Sequence, residues 1–380
     1  MRKLILFVMS LAMITPCVAA VQSVTVEQLK QMLAAQQTAG KSDGDRAQQL
    51  NSLELTEQLT QPTLDRITTE FKPGPKTVLS LKLLADSSAF LEPPAGELLD
   101  KAPPTAVEQR DMMKSAINFV AVTLRHMPDF LATRLTESYD NSPLSVTHSG
   151  WAPHTDLHPA GSFSHHITYR NGEEVLDRQP GSSGAKPMNE SSPEGLTSIG
   201  EFGSALGVIL SDASKGILKW SHWEQTAAGQ VAVFHFEVPP AASHYWVNYC
   251  CVRSSPNDAS GGVGLYAGLE DANSYHGTLG YHGNLYLDPA TGDILRITLE
   301  SELKASDPIT RAAISVQYGP VEIGGKSYIC PVHSIAISLT KSHAGGDKSD
   351  REILRINEVS FTDYHRLGST SRIITEVPAQ

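Results

Sequence analysis

Five of the fourteen histidines, His148, His154, His158, His165 and His166, fall within nineteen residues. Imidazoles gathered this way point first to a transition metal, and His154-x-x-x-His158 has the spacing of two ligands on one helical turn. The surroundings argue against it. Pro153 and Pro159 bracket the pair, and no Glu follows the first His as a zinc protease requires. His165 and His166 are neighbours on an expected strand and so face opposite ways. A solvated His-rich loop is the plainer reading. His148, His154 and His158 remain weak metal candidates, and no cofactor is implied.

Hydroxyl and carboxylate chemistry is no better announced. The chain has no Gly-x-Ser-x-Gly elbow. Ser301-Glu302-Leu303-Lys304 matches Ser-x-x-Lys, but it ends an expected strand instead of opening a helix, and no Lys-Thr-Gly follows. Gly261 to Gly268 is glycine-rich without the Gly-x-Gly-x-x-Gly spacing or a strand–helix frame, so a loop explains it. Asp288 and Asp293 form a carboxylate pair that turn chemistry accounts for. Without its leader the chain keeps three cysteines, Cys250, Cys251 and Cys330. In an oxidising compartment two that meet join, yet strand neighbours point apart, so only one of Cys250 and Cys251 can meet Cys330. The alternatives are a rare vicinal bridge or three buried apolar thiols. Trp220, Trp223, Phe234, Phe236, Tyr245 and Trp246 make an aromatic cluster that reads as core, or as a groove for an apolar ligand.

The elements that must position these residues begin after an export signal. Arg2 and Lys3 precede an apolar run from Leu4 to Ile14, and Val18-Ala19-Ala20 offers small residues for cleavage. This is the layout of a cleaved signal peptide over residues 1–20, pointing to the periplasm or secretion. Cys17 follows Pro16, which disfavours a lipid anchor. No later run is long enough to cross a bilayer, so the chain is not expected to be an integral membrane protein. Two of the 30 basic residues lie in the leader, leaving 28 against 41 acidic ones and a net charge near −13. An acidic chain without a basic run binds neither nucleic acid nor anionic lipid heads well.

Residues 21–127 read as short helices. Thr25-Val26-Glu27-Gln28 and Thr105-Ala106-Val107-Glu108 are capping boxes. Leu50, Leu53 and Leu55 to Leu59 mark a second short helix, and Leu91 to Pro104 is a Pro-rich linker. Met113, Ile117, Val120 and Leu124 form the stripe of the strongest helix. Residues 128–380 change to a period of two, interrupted by one amphipathic helix at 199–213. Asn171-Gly172, Asp288 to Asp293 and Gly324-Gly325 are hairpin turns. One dry face results, with the 199–213 helix as its cover. The fold class is α+β.

The turn Leu287 to Arg296 and the segment Tyr318 to Pro331 resemble hairpins of the periplasmic lipoprotein-carrier (LolA/LolB-like) fold, also seen in RseB-like sensors. That resemblance covers about the last 240 residues and implies a strongly curved antiparallel sheet, an open half-barrel whose concave side helices plug. The helical region 21–127 has no counterpart there. The whole chain also resembles a group of uncharacterised secreted bacterial proteins, a likeness that adds no function. The leading expectation is a non-enzymatic binding module holding an apolar ligand or lipid-bearing partner. Phe234, Phe236, Leu295, Ile297, Leu299, Ile335 and Ile337 would line its concave face. The alternative is an envelope interaction protein whose helical region docks a partner while the sheet is plugged. A His-loop metalloenzyme is the third.

Overall fold

A computed structural model describes residues 22–142, 157–176, 193, 195–198, 200–226, 229–249, 261–264, 275–342 and 351–367. The expected signal peptide, Cys250, Cys251, His148 and His154 lie outside the described residues.

The chain enters through strand β1 (Gln22–Val24) and helices α1 (Val26–Thr38) and α2 (Asp43–Asn51), then β2 (Leu53–Leu55), α3 (Gln61–Phe71) and α4 (Pro75–Ser88). The Thr25 capping box forms as expected: Thr25 Oγ1 accepts from the Gln28 amide, and Gln28 Oε1 accepts from the Thr25 amide. Leu53 to Leu55, expected to be helical, instead pairs in parallel with β1. Leu53 and Leu55 are buried and Glu54 is exposed between them, a period of two that ends the helix at Asn51. Leu29, Leu33, Leu50, Ile67 and Leu81 close a separate small core over this unit.

After the linker comes α5 (Ala106–Asn118), whose second capping box also forms. It runs into a π-helical turn, Phe119–Thr123. The buried stripe is Met112, Ala116, Phe119, Val120 and Leu124, while Ile117 is exposed. The wider π turn carries one extra residue, which rotates the stripe away from Ile117 and leaves Met113 at its edge, still packed on the core.

The remainder supplies β3 (Phe130–Asp140), β4 (His158–Arg170), β5 (Glu173–Leu176), α6 (Ser204–Ala213), β6 (Ile217–Thr226) and β7 (Gly229–Val238). Then follow β8 (Trp246–Tyr249), β9 (Gly261–Gly264), β10 (Tyr275–Thr278), β11 (Tyr281–Leu287), β12 (Ile294–Ser301), β13 (Ile309–Ile323), β14 (Lys326–Ser342) and β15 (Arg351–Arg366). Ten of these strands make one antiparallel sheet in the order β5-β4-β3-β15-β14-β13-β12-β11-β7-β6, and β10-β8-β9 form a small second sheet. The α+β class with helices preceding an antiparallel sheet is therefore observed. The large sheet is neither closed nor strongly curled, so the half-barrel curvature that the carrier resemblance implied is not what these strands form.

Ladder pairs place residues on faces. One row across the sheet is Phe234, Leu285, Ile297, Val316, Ser334, Val359 and Thr136; this is the front. Alpha5, its π turn and α6 cover it with Met112, Phe119, Leu206 and Ile209. Helix α6 starts only at Ser204, because Gly200 and Gly203 hold φ of +86° and +130° and keep residues 200–203 out of the helix expected from 199. The back is covered by α4, whose Leu83 packs against Ile335, Ile337, Ile356 and Tyr139. The turn between β11 and β12 abuts α5. A side chain at Gly292 would press into the Ser115 backbone at 2.6 Å, so glycine is required there.

Candidate functional site

The seven residues expected to line one apolar surface fall in three places. Phe234, Phe236, Ile297 and Leu299 stand together on the front, buried in the main core. Phe234 meets Trp220 edge-on at 5.5 Å, and Phe236 meets Tyr281 at 5.9 Å. Ile335 and Ile337 are on the back beneath Leu83. Leu295 packs on Val231, Val233 and Tyr286, also on the back.

Two bulges cause the division. In the β13–β14 hairpin, Tyr318 pairs with Pro331 but Gln317 pairs with His333, so Val332 is an extra residue. A slip of one residue sends every later side chain of that strand to the other face, Ile335 and Ile337 included. In the β11–β12 hairpin, Leu287 pairs with Ile294 and Tyr286 with Arg296, which leaves Leu295 as the extra residue. The inversion at Leu295 sits inside one of the two segments that carry the carrier resemblance, and the one at Val332 immediately follows the other.

The front residues are covered by the protein's own helices. Among the described residues a hollow of ≈ 280 Å³ opens elsewhere, lined by Lys114, Ser115, Asn118, Phe119, Thr291 and Asp293. It is mostly polar and shares none of the seven expected lining residues.

Of the metal candidates, His158 is the one within the described residues, and its Nε2 lies 3.3 Å from Asp140 Oδ1. Asp140 also accepts from the Ser142 amide and hydroxyl, which makes the group a strand-end staple. Among the described residues no three His, Cys, Asp or Glu side chains are arranged to hold a metal ion. His165 and His166 sit side by side on β4. Burial, then Arg134, then His166 hold His165 below the usual imidazole range. Cys330 is free and fully buried, its Sγ 3.7 Å from Met127 Sδ. Burial pushes its thiol up to about 12, so it is inert to disulfide exchange. No disulfide is found among the described residues.

Three charged clusters were not foreseen. In the first, Asp212 of α6 is fully buried and accepts from the His244 amide at 2.8 Å, from His244 Nδ1 at 2.6 Å and from Tyr281 Oη at 3.0 Å. The His244 ring is largely exposed. A buried carboxylate that orients an imidazole is half of a nucleophile-activating pair. No serine or cysteine bonds its second ring nitrogen among the described residues, so the contact ties the loop before β8 to α6.

The second cluster lies on the front beneath residues 195–198 and 200–202. Arg134 donates to the Ser198 carbonyl at 2.9 Å and stands 3.5 Å from Glu201 Oε1, which also accepts from Ser198 Oγ. Glu174 of β5 accepts from the Gly200 amide at 3.2 Å. Burial, then the Glu201 charge, push Glu174 up to about 8. Glu174 Oε1 and Glu201 Oε2 are both shut off from solvent without a hydrogen bond.

The third is on the back. Lys82 Nζ of α4 lies 2.5 Å from Glu358 Oε1 of β15, and His333 Nε2 of β14 reaches the same oxygen at 3.0 Å. Asp86, one turn along α4, is buried beside them. A sequence signal for it exists. Leu79, Leu83, Asp86 and Phe90 recur at steps of four, three and four, which places a carboxyl inside an apolar stripe.

Comparison with protein-family models, with curated proteins and with solved structures finds no match. The likeness to lipoprotein carriers thus rests on its two hairpin segments.

Proposed function

We propose that this chain acts by contact: an exported interaction protein in which the sheet is a rigid platform and the helical unit 22–91 meets a protein of the envelope. One observation carries the reading. Both faces of the large sheet carry the chain's own helices, α5 and α6 in front and α4 over β3, β13, β14 and β15 behind, and the apolar residues suited to a lipid are already packed. Helix α1 turns Gln28, Gln31, Ala34, Ala35 and Gln37 to solvent. With Glu27 and Lys30 as a charged pair beside it, that polar, hydrogen-bonding surface suits a folded protein better than a membrane. No helix among the described residues is long and apolar enough to span one.

The apolar-ligand reading requires α6 to leave Phe234, Phe236, Ile297 and Leu299. Native mass spectrometry of the protein purified from its own compartment, before and after unfolding, separates the two. The expected mass is that of the polypeptide, alone or with a second polypeptide. A small-molecule excess that disappears on unfolding would overturn the proposal in favour of a carried ligand.

A further inference from the structure

The back of the sheet is closed by a unit with its own core, and the contact between them is partly charged. Leu83 supplies the apolar part, against Ile335, Ile337 and Ile356. Beside it Lys82 and Asp86 of α4 meet His333 of β14, Glu358 of β15, and Glu137 and Tyr139 of β3. Glu358 is satisfied on one oxygen by Lys82 and His333, while its other oxygen is buried without a partner. Asp86 Oδ2 is likewise buried and unpartnered, and the Glu358 charge acts against it. Glu137 is engaged by Tyr139 Oη at 3.1 Å. Of the three carboxyls, Asp86 and Glu358 are shut into the seam while Glu137 is half-buried at its edge, and half-exposed Lys82 is the single fixed cation among these groups. One of the two enclosed carboxyls must be neutral for the seam to close without an uncompensated charge.

We infer that this seam is a proton-operated latch, in which a proton on Asp86 holds the helical unit against the sheet and its loss lets α1–α4 open while the sheet stays folded.

The environment divides the two carboxyls in the sense the latch needs. Burial, then Glu358, push Asp86 up to about 7, although His333 and Lys82 pull the other way. Burial also works to raise Glu358, but hydrogen bonds from His333 and Lys82 outweigh it and hold its carboxyl below the usual range. Asp86 therefore keeps in the closed state a proton that it loses readily once exposed to water. Opening becomes easier as pH rises from the ordinary carboxylate range toward 7, and then levels off. Below the ordinary range Glu358 takes up a proton and its contribution is lost as well. The inference does not depend on what the helical unit binds.

Amide hydrogen exchange on the whole chain at pH 5.5 and pH 8.5, corrected for intrinsic rates, tests it. Amides of α1–α4 should exchange through an opening distinct from that of β7 and β11, and roughly thirtyfold more often at the higher pH. Asp86→Asn keeps the shape of the neutral carboxyl and should make that opening insensitive to pH. A single common opening for helices and sheet, or the same pH dependence in Asp86→Asn, overturns the latch. Should that variant not fold, the Asp86 carboxyl carbon can be titrated by NMR in the unaltered protein. A midpoint near neutrality supports the inference, and one in the ordinary carboxylate range sinks it.

Discussion

The two faces of the ten-stranded sheet are sealed in different ways. In front, α5 and α6 belong to the same core as the strands beneath them, and rings interlock across it. Phe130 stacks on Tyr169 at 4.9 Å, and Phe202 meets Phe361 edge-on at 5.4 Å. Behind, α4 divides its apolar residues. Leu81 and Leu84 look inward to the helical unit's own core, and Leu83 looks outward to the sheet. A layer that shares its core cannot leave without unfolding the whole. A layer with its own core and a charged seam can. The difference separates a structural face from one able to move, and the proposed partner surface lies on the unit that can move.

The largest effect that tests this contrast comes from truncating one core residue on each side. Phe236→Ala in front should cost about 3–5 kcal/mol and shift one cooperative unfolding transition, because everything on that face unfolds together. Leu83→Ala behind should cost about 2–4 kcal/mol at its site, yet leave the sheet's transition nearly in place while the helical unit opens earlier. Chemical denaturation followed by tryptophan fluorescence and by helical circular dichroism reads both, since Trp220 and Trp223 lie in the sheet layer. Coincident transitions in the Leu83 variant would mean that the faces are not separable.

A smaller effect is expected at the Glu174–Glu201 pair. Folding lifts Glu174 from its ordinary range to about 8, by burial and then by Glu201. The folded state therefore binds the extra proton, and stability falls as pH rises from about 4.5 toward 8. Glu174→Gln keeps an oxygen for the Gly200 amide and removes the titration. Its advantage over the unaltered protein should grow from near zero at pH 4.5 to on the order of 1–3 kcal/mol at pH 8.5. This change should appear in global unfolding, unlike that of Asp86→Asn. An advantage confined to the opening of α1–α4 would break the distinction between the two acidic pairs.

Much of the framework was legible in the residues. Both capping boxes, the turn at Asn171-Gly172, whose φ values are +56° and +82°, and the β13–β14 turn at Gly324-Gly325 are local, and local chemistry decides them. The expected surface was illegible for an equally physical reason. Alternation within a strand gives relative orientation only, and a bulge resets it. Nothing in Pro331-Val332-His333 or Ile294-Leu295-Arg296 announces an extra residue, although Pro331, which cannot donate to a ladder, is consistent with one. The charged clusters were missed because each joins segments far apart in the chain, such as Asp86 with Glu358 or Asp212 with Tyr281. Only Asp86, a carboxyl in an apolar stripe, carried a local signal.

The smallest expected effect is the most discriminating, because the same substitution can be made on both sides of the comparison. Thr25 and Thr105 cap α1 and α5 with the same geometry, each hydroxyl accepting from the amide three residues on, at 3.2 Å and 3.3 Å. Replacing either with Ala removes one acceptor from a helix N-terminus and costs about 1 kcal/mol. If α5 is part of the platform, Thr105→Ala lowers the stability of the whole sheet by that amount. If α1 belongs to a separable unit, Thr25→Ala instead raises the opening equilibrium constant of α1–α4 about fivefold and leaves exchange from β7 and β11 unchanged. Equal responses in every strand and helix to both substitutions would show a single cooperative body, and the charged seam would then be a buried structural pair without a moving part.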